Sequence, residues 1–203
     1  MYLPGAALIV VDLLNDFFER SPVLAAQRAA LVTATNLLAE GVRAAGSPVF
    51  WVRQEFALDL GDAFLDMRRR NIAVTISGTR GCQLLSELEQ SPEDVVVVKK
   101  RYSAFYGTDL EQRLSQLRPN LLIVAGVNTH ACVRMTVIDA YQRDYDVVVA
   151  SDCVTSYDPE HHDVTVRYLD GKVARFLPSG EILTLLGALP NPGLNTTGLR
   201  PAG

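Results

Sequence analysis

Short runs of apolar, β-branched residues that do not alternate with polar ones recur along this chain, and each is separated from the next by longer stretches. AALIVVD (6–12), PVFWVRQ (48–54), EDVVVVKK (93–100), the run 120–127 and DVVVASD (146–152) are of this kind. A strand that is apolar on both faces has to be covered on both faces, which is the condition of a parallel sheet held between helical layers. The intervening segments supply those layers. PVLAAQRAALVTATNLLAEGVRAAG (22–46) has helical spacing and a glycine placed to end it. TDLEQRLSQL (108–117) opens with a threonine suited to capping, a further helix runs from about 131 to 143, and DPEHHDVTVRYL (158–169) opens with an aspartate cap and a proline. KVARFLP and SGEILTLLG add a last extended piece and a last helix. The fold class predicted is α/β: a three-layer α/β/α sandwich around a mostly parallel, about six-stranded, Rossmann-like sheet.

The stretch 55–80 is less regular, with a short helix expected in DAFLDMRRR and a short strand in AVTIS. GCQLLSELE (81–89) reads as a helix. At 203 residues the chain suits one compact domain, taken as 1–189, and the Pro-, Gly-, Asn- and Thr-rich residues 190–203 read as a loose tail. A formal charge of −4 argues against nucleic acid or anionic membrane as a partner, and Arg68, Arg69 and Arg70 read as a solvated helix face. The first apolar stretch already contains Asp12, Asn15 and Asp16, so no leader peptide is expected, and no apolar run approaches the ~18 residues of a membrane span. Cysteines at 82, 132 and 153 form no C-x-x-C pair. A disulfide framework or zinc knuckle is therefore not expected, and the cytoplasm is the expected location.

In parallel sheets the functional crevice opens beyond the carboxyl ends of the strands. Three reactive side chains stand there: Asp12, Lys99 or its neighbour Lys100, and Cys132 at a helix start. A thiol attacks at neutral pH only when its proton is removed, and a nearby lysine or a helix N-terminus favours the thiolate. An aspartate within reach can take that proton and later activate water. Backbone N–H groups at a helix start can stabilise an oxyanion.

With those residues placed, the chain resembles the isochorismatase-like superfamily of cysteine hydrolases over nearly all its length up to about residue 187. Three blocks carry the resemblance: ALIVVDLLNDFF, KKRYSAFYGTDL (99–110) and GVNTHACVRMTVIDAYQRDYDVVVASD (126–152). It implies a three-layer α/β/α fold, with Asp12, Lys99 and Cys132 as the catalytic residues. For amide-hydrolysing members it further implies a cis peptide at Val127–Asn128, which turns the Asn128 N–H beside that of Cys132 as an oxyanion hole. Nicotinamidase members bind a metal through an aspartate and two histidines after the second strand. Here residues 52–64 contain no histidine, so no metal and no cofactor are expected. True isochorismatases cleave a vinyl ether without a nucleophile and often lack the cysteine, so the presence of Cys132 favours a C–N bond. Glutamine often stands two residues after the aspartate in the family; here Leu14 does, which suggests a more apolar pocket.

Aromatic residues near the strand ends are candidates for a substrate wall, Phe17, Tyr102 and Phe105 foremost, with Trp51 and Tyr106 also considered. His162 reads as support for the loop over the site, and His130 stays outside the catalytic set. The resulting expectation is a metal-independent cysteine hydrolase acting on a small amide, carbamoyl, ureido or lactam-like substrate. The resemblance also implies a homo-oligomer, dimer or tetramer. Two alternatives stand beside it: an isochorismatase-type hydrolase using Asp12 and Lys99 without covalent catalysis, and a non-catalytic binding protein on the same fold.

Overall fold

A computed structural model describes residues 5–188, and the expected tail from 190 lies outside them. In chain order the elements are β1 (Ala6–Val11), α1 (Asn15–Arg20), α2 (Pro22–Ala44), β2 (Val49–Gln54), α3 (Leu65–Arg70), β3 (Val95–Lys99), α4 (Leu110–Leu117), β4 (Leu121–Val127), α5 (Arg134–Tyr141), β5 (Asp146–Thr155), α6 (Pro159–Leu169), β6 (Arg175–Leu177) and α7 (Ser179–Ala188). The six strands form one sheet in the order β3-β2-β1-β4-β5-β6. Every pairing in it is parallel.

Strand pleating sends successive side chains of β1 to opposite faces, so both faces need helices. Leu8 and Val10 pack toward Leu38 and Val42 of α2 and Ile182 of α7. Ile9 and Val11 pack toward Leu114 of α4 and Val133 and Val137 at the start of α5. The three-layer sandwich follows from that alternation. The strand order reverses between β1 and β4, so the crevice of this doubly wound sheet lies beyond Val11 and Val127. Gly126 is required there: its φ is 113°, and a Cβ would sit 2.0 Å from the Val11 carbonyl oxygen of the adjacent strand.

Local structure departs from expectation at four places. Residues 81–89 do not form a helix; only a 3-10 turn at Arg80–Cys82 does. Asn15 Nδ2 donates to the carbonyls of Arg80 (3.1 Å) and Gln83 (3.0 Å), and Leu85 N–H donates to Leu13 O (2.9 Å), so groups a helix would use are bonded elsewhere. The AVTIS segment contributes a single bridge, Phe56 to Ile76, rather than a strand. Strand β3 is not buried on both faces, since as the sheet edge it exposes Val96 and Val98 while Val97 and Lys99 point inward. The helix expected from 131 begins instead as a π turn, Thr129–Val133, that runs into α5. Among the described residues no helix is long and apolar enough to cross a membrane.

Candidate active site

Three strand ends converge on one buried cluster. Asp12 follows β1 directly with a left-handed φ of 56°, a conformation that aspartate tolerates better than most residues. Its N–H donates to Val52 O (2.8 Å), and its Oδ1 accepts from the Gln54 N–H at the end of β2 (2.8 Å). Gln54 is in turn the β-partner of Lys99. Edge-strand alternation therefore decides between the two lysines. Lys99 shares the inward face of Val97, whereas Lys100 turns outward to the Glu55 carbonyl and to Asp62 (2.9 Å).

Lys99 Nζ lies 2.6 Å from Asp12 Oδ2, 3.0 Å from the Arg101 carbonyl and 3.4 Å from Cys132 Sγ. Two of the ammonium's three N–H donors are hydrogen-bonded, to the Arg101 carbonyl and to Cys132 Sγ, while the Asp12 contact is an ion pair. All three side chains are buried: Asp12 and Lys99 are 0% exposed and Cys132 3%. Asp12 Oδ2, although next to Nζ, receives no well-aligned hydrogen bond, which leaves acceptor capacity for a proton.

Burial alone would lower the Lys99 ammonium's pKa, but Asp12 and then Cys132 outweigh it, and the net direction is up. For Cys132 burial dominates. It pushes the thiol well above its ordinary range, Lys99 opposes this, and Asp12 adds to it. The lowering expected from the lysine and the helix start is thus overridden, and the net direction for the Cys132 thiol is up.

The π turn sets Cys132 at the mouth of this cluster. Asn128 O accepts from both Ala131 N–H (3.0 Å) and Val133 N–H (3.2 Å), which widens the turn, and π turns of this kind recur at functional sites. The Val127–Asn128 peptide is cis. The Asn128 side chain accepts from Tyr157 N–H (3.1 Å), and His162 Nδ1 lies 2.9 Å from Thr129 Oγ1, so the turn is tied to β5 and α6. Thr136 joins it to the central block: its Oγ1 donates to Cys132 O (2.7 Å) and accepts from Ala104 N–H (3.0 Å).

Cys132 opens onto a cleft of about 1020 Å³. Phe17 and Tyr102 line it, together with Gln54, Phe64, Met135 and Tyr157. Phe105 does not. It is 4% exposed and packs in the core with Ala104 and Leu110, stacked on Tyr145, because the central block turns inward there. Trp51 is also a core residue, its Nε1 donating to Asp94, and Tyr106 is exposed away from the cleft. Leu14 is fully buried and bridges to Leu84, so the apolar character of the cleft comes from other residues. His130 and Arg134 stand on the wall, neither of them among the expected site residues. Burial lowers the pKa of His130, Asp158 opposes that, and His161, Arg134 and His162 add to the lowering.

The loop after β2 does not fit a nicotinamidase-type metal. Its carboxylates are engaged within the loop and with neighbouring cations: Asp59 accepts from Gly61 N–H (2.9 Å), Asp62 from Ala57 N–H (2.8 Å) and pairs with Lys100, and Glu55 meets Arg53 (2.9 Å) and Ser77 (2.7 Å). Among the described residues no group of three or more His, Cys, Asp or Glu side chains could hold a metal ion.

Comparison with known proteins places this architecture. The isochorismatase domain family matches residues 6–180. A protein of Arabidopsis thaliana named "probable inactive nicotinamidase At3g16190" is 36% identical over 176 residues, covering 83% of this chain and 88% of its own length. N-carbamoylsarcosine amidase from Thermoplasma acidophilum superposes with a TM-score of 0.72 at 29% identity, over 86% of this chain and 96% of its own. Nicotinamidase PncA from Bacillus subtilis does so with a TM-score of 0.75 at 27% identity, over 86% and 99%. The chain belongs to the isochorismatase family of hydrolases.

Proposed function

We propose that this protein hydrolyses a C–N bond of a small amide, carbamoyl, ureido or lactam-like compound through a thioester on Cys132. The observation that carries the reading is the buried contact of Lys99 Nζ with both Asp12 Oδ2 (2.6 Å) and Cys132 Sγ (3.4 Å) at the floor of the cleft. A structural ion pair has no need of a thiol there, and a packed cysteine has no need of a lysine.

The chemistry runs from the neutral thiol. As the substrate carbonyl reaches Sγ, Asp12 takes the thiol proton while Lys99 keeps the negative charge balanced across both partners. The sulfur bonds to the carbonyl carbon, and the carbonyl electron pair moves to oxygen, where the N–H groups of Asn128 and Cys132 stabilise it. Collapse breaks the C–N bond, and the leaving nitrogen takes the proton from Asp12. Water then gives a proton to Asp12 and its hydroxide to the thioester carbon; the C–S bond breaks to release the acid, and Asp12 returns the proton to the departing sulfur, restoring carboxylate and thiol.

A second reading draws on the raised thiol pKa. If Cys132 stays neutral throughout, Asp12 can act as the acid toward a vinyl ether with no covalent intermediate. Ammonia release from an amide panel with intact-mass trapping of an acyl adduct, run beside a vinyl-ether cleavage assay, separates the two. The covalent reading requires that Cys132→Ala abolish ammonia release and the adduct. Vinyl-ether cleavage that survives Cys132→Ala and is lost in Asp12→Asn, with no ammonia release, supports the second reading instead.

A further inference from the structure

The cleft wall carries two side chains, His130 and Arg134, with N–H donors that find no acceptor among the described residues. His130 and Arg134 both line it, four residues apart, on the turn that holds Cys132 between them. Helical residues at that spacing lie on one face as neighbours. Their proximity also shows electrostatically, since the Arg134 charge opposes protonation of His130.

The hydrogen bonds around His130 decide which of its ring nitrogens carries the proton. Ser156 is 2% exposed, and its Oγ accepts from Asp158 N–H (3.0 Å). Its own proton has one acceptor in reach among the described residues, His130 Nδ1 at 2.6 Å. A buried hydroxyl proton is costly to leave unpaired, so Nδ1 accepts and the ring proton sits on Nε2. Tyr157 braces the ring edge-on, 5.0 Å between centroids. Asp158 does not compete for that Nε2 proton, because its Oδ2 is engaged by His161 Nδ1 (2.8 Å).

Arg134 is half-buried, and its guanidinium rides over the Tyr168 ring at 5.1 Å. Stacking of this kind holds the fork in place without consuming its in-plane N–H donors. Among the described residues no carboxylate forms an ion pair with it. The cleft's one other charged side chain besides the histidine, Asp66, pairs with Arg70 (3.1 Å). The rest of the wall is largely apolar, with Phe17, Phe64, Met135 and Ile138 prominent. A planar cation without an ion-pair partner among the described residues and a fixed N–H donor, both on the wall of the cleft onto which Cys132 opens, suit two oxygens of one anionic group.

On the hydrolase reading above, we infer that the substrate carries a carboxylate close to its scissile C–N bond, and that Arg134 and His130 are the pair that recognises it. The apolar wall then accommodates a short hydrocarbon stem between the two groups.

Binding tests this without turnover. The full-length Cys132→Ala protein is titrated by calorimetry with malonamate, succinamate and glutaramate, each against its neutral diamide. At least one anion should bind about tenfold or more tighter than its diamide, as a charge-assisted pair requires. Arg134→Met should erase that preference, Arg134→Lys should restore part of it, and His130→Phe should weaken it about threefold or more. Equal binding of acid and diamide, no binding by any member, or a preference that survives Arg134→Met overturns the inference. Ammonia release by the native chain is followed in parallel. A preference for the anion with no Cys132-dependent ammonia release defeats the hydrolase reading and leaves the recognition pair standing. Release without the preference does the reverse.

Discussion

Replacing Lys99 by methionine removes one ammonium and leaves the Asp12 carboxylate, 0% exposed, with the Gln54 N–H as its remaining fixed donor. Methionine matches the stem of lysine closely, so the effect isolates the charge. Breaking a buried ion pair from one side costs about 3–5 kcal/mol, because the surviving charge stays desolvated. For a chain of this length, 3 kcal/mol corresponds to a fall in Tm of roughly 6–12 °C. Asp12→Asn should cost a similar amount, since it strands the ammonium between the thiol and the Arg101 carbonyl.

Combining the two substitutions is the informative step. An asparagine facing a methionine would be a neutral pair, so the double variant should be no less stable than either single one, which requires a coupling energy of about 3 kcal/mol or more, the size of one single loss. Urea unfolding monitored by circular dichroism gives all three values. On the hydrolase reading each single variant also loses about 10²–10⁴-fold in turnover, and the double variant recovers stability without recovering activity. A Lys99→Met protein within about 1 kcal/mol of the native one would refute the reasoning, as would a double variant whose loss equals the sum of the singles.

Three further outcomes follow from other parts of the molecule. Burial raises the pKa of Cys132 and brings Cys153 to about 12. Unfolded thiols ionise near ~8.5, so stability should be unaffected by these groups below that pH and should fall as pH rises from there toward the folded values, by up to about 1.4 kcal/mol per pH unit for each thiol. Cys132→Ala and Cys153→Ala should each flatten that slope in urea midpoints taken from pH 7 to pH 10. Gly126→Ala forces a Cβ to 2.0 Å from the Val11 carbonyl oxygen at a φ of 113° and should destabilise by about 3 kcal/mol or more; a variant melting with the native protein would contradict the packing described. Phe105→Ala should cost about 3–5 kcal/mol in stability as a core truncation, whereas Phe17→Ala, on the cleft wall, should mainly raise KM; the reverse pattern would show that the two aromatic roles are exchanged.

The sheet was legible in the sequence because its strands are apolar at successive positions, a pattern that water tolerates only when both faces are covered. Asp12 and Cys132 were legible for the opposite reason: each interrupts or follows such a run with a group that is costly to bury unless something uses it. The lysine was legible through the resemblance, which picks Lys99, but not from the strand itself, because VVVV offers no polar position from which to read the register of an edge strand. In the fold, the pairing of Gln54 with Lys99 separates Lys99 from Lys100. Leu84, Leu85 and Leu88 suggested a helix at 81–89, and the reason none forms lies about 65 residues away: Asn15 takes the Arg80 and Gln83 carbonyls for itself.

His130 and Arg134 show where the limit falls at the site itself. Their spacing of four is written in the chain, but its meaning depends on a turn that is widened through the Asn128 carbonyl and braced by Ser156 and Tyr157 from the β5–α6 connection and by Tyr168 of α6. The same turn that presents the thiol therefore also presents the two donors. The reacting group and the groups that select what reaches it are set by one local backbone choice, so a substitution that narrows the turn should disturb nucleophile and recognition together. Substitutions of Arg134 alone should leave the Asp12–Lys99–Cys132 contacts intact.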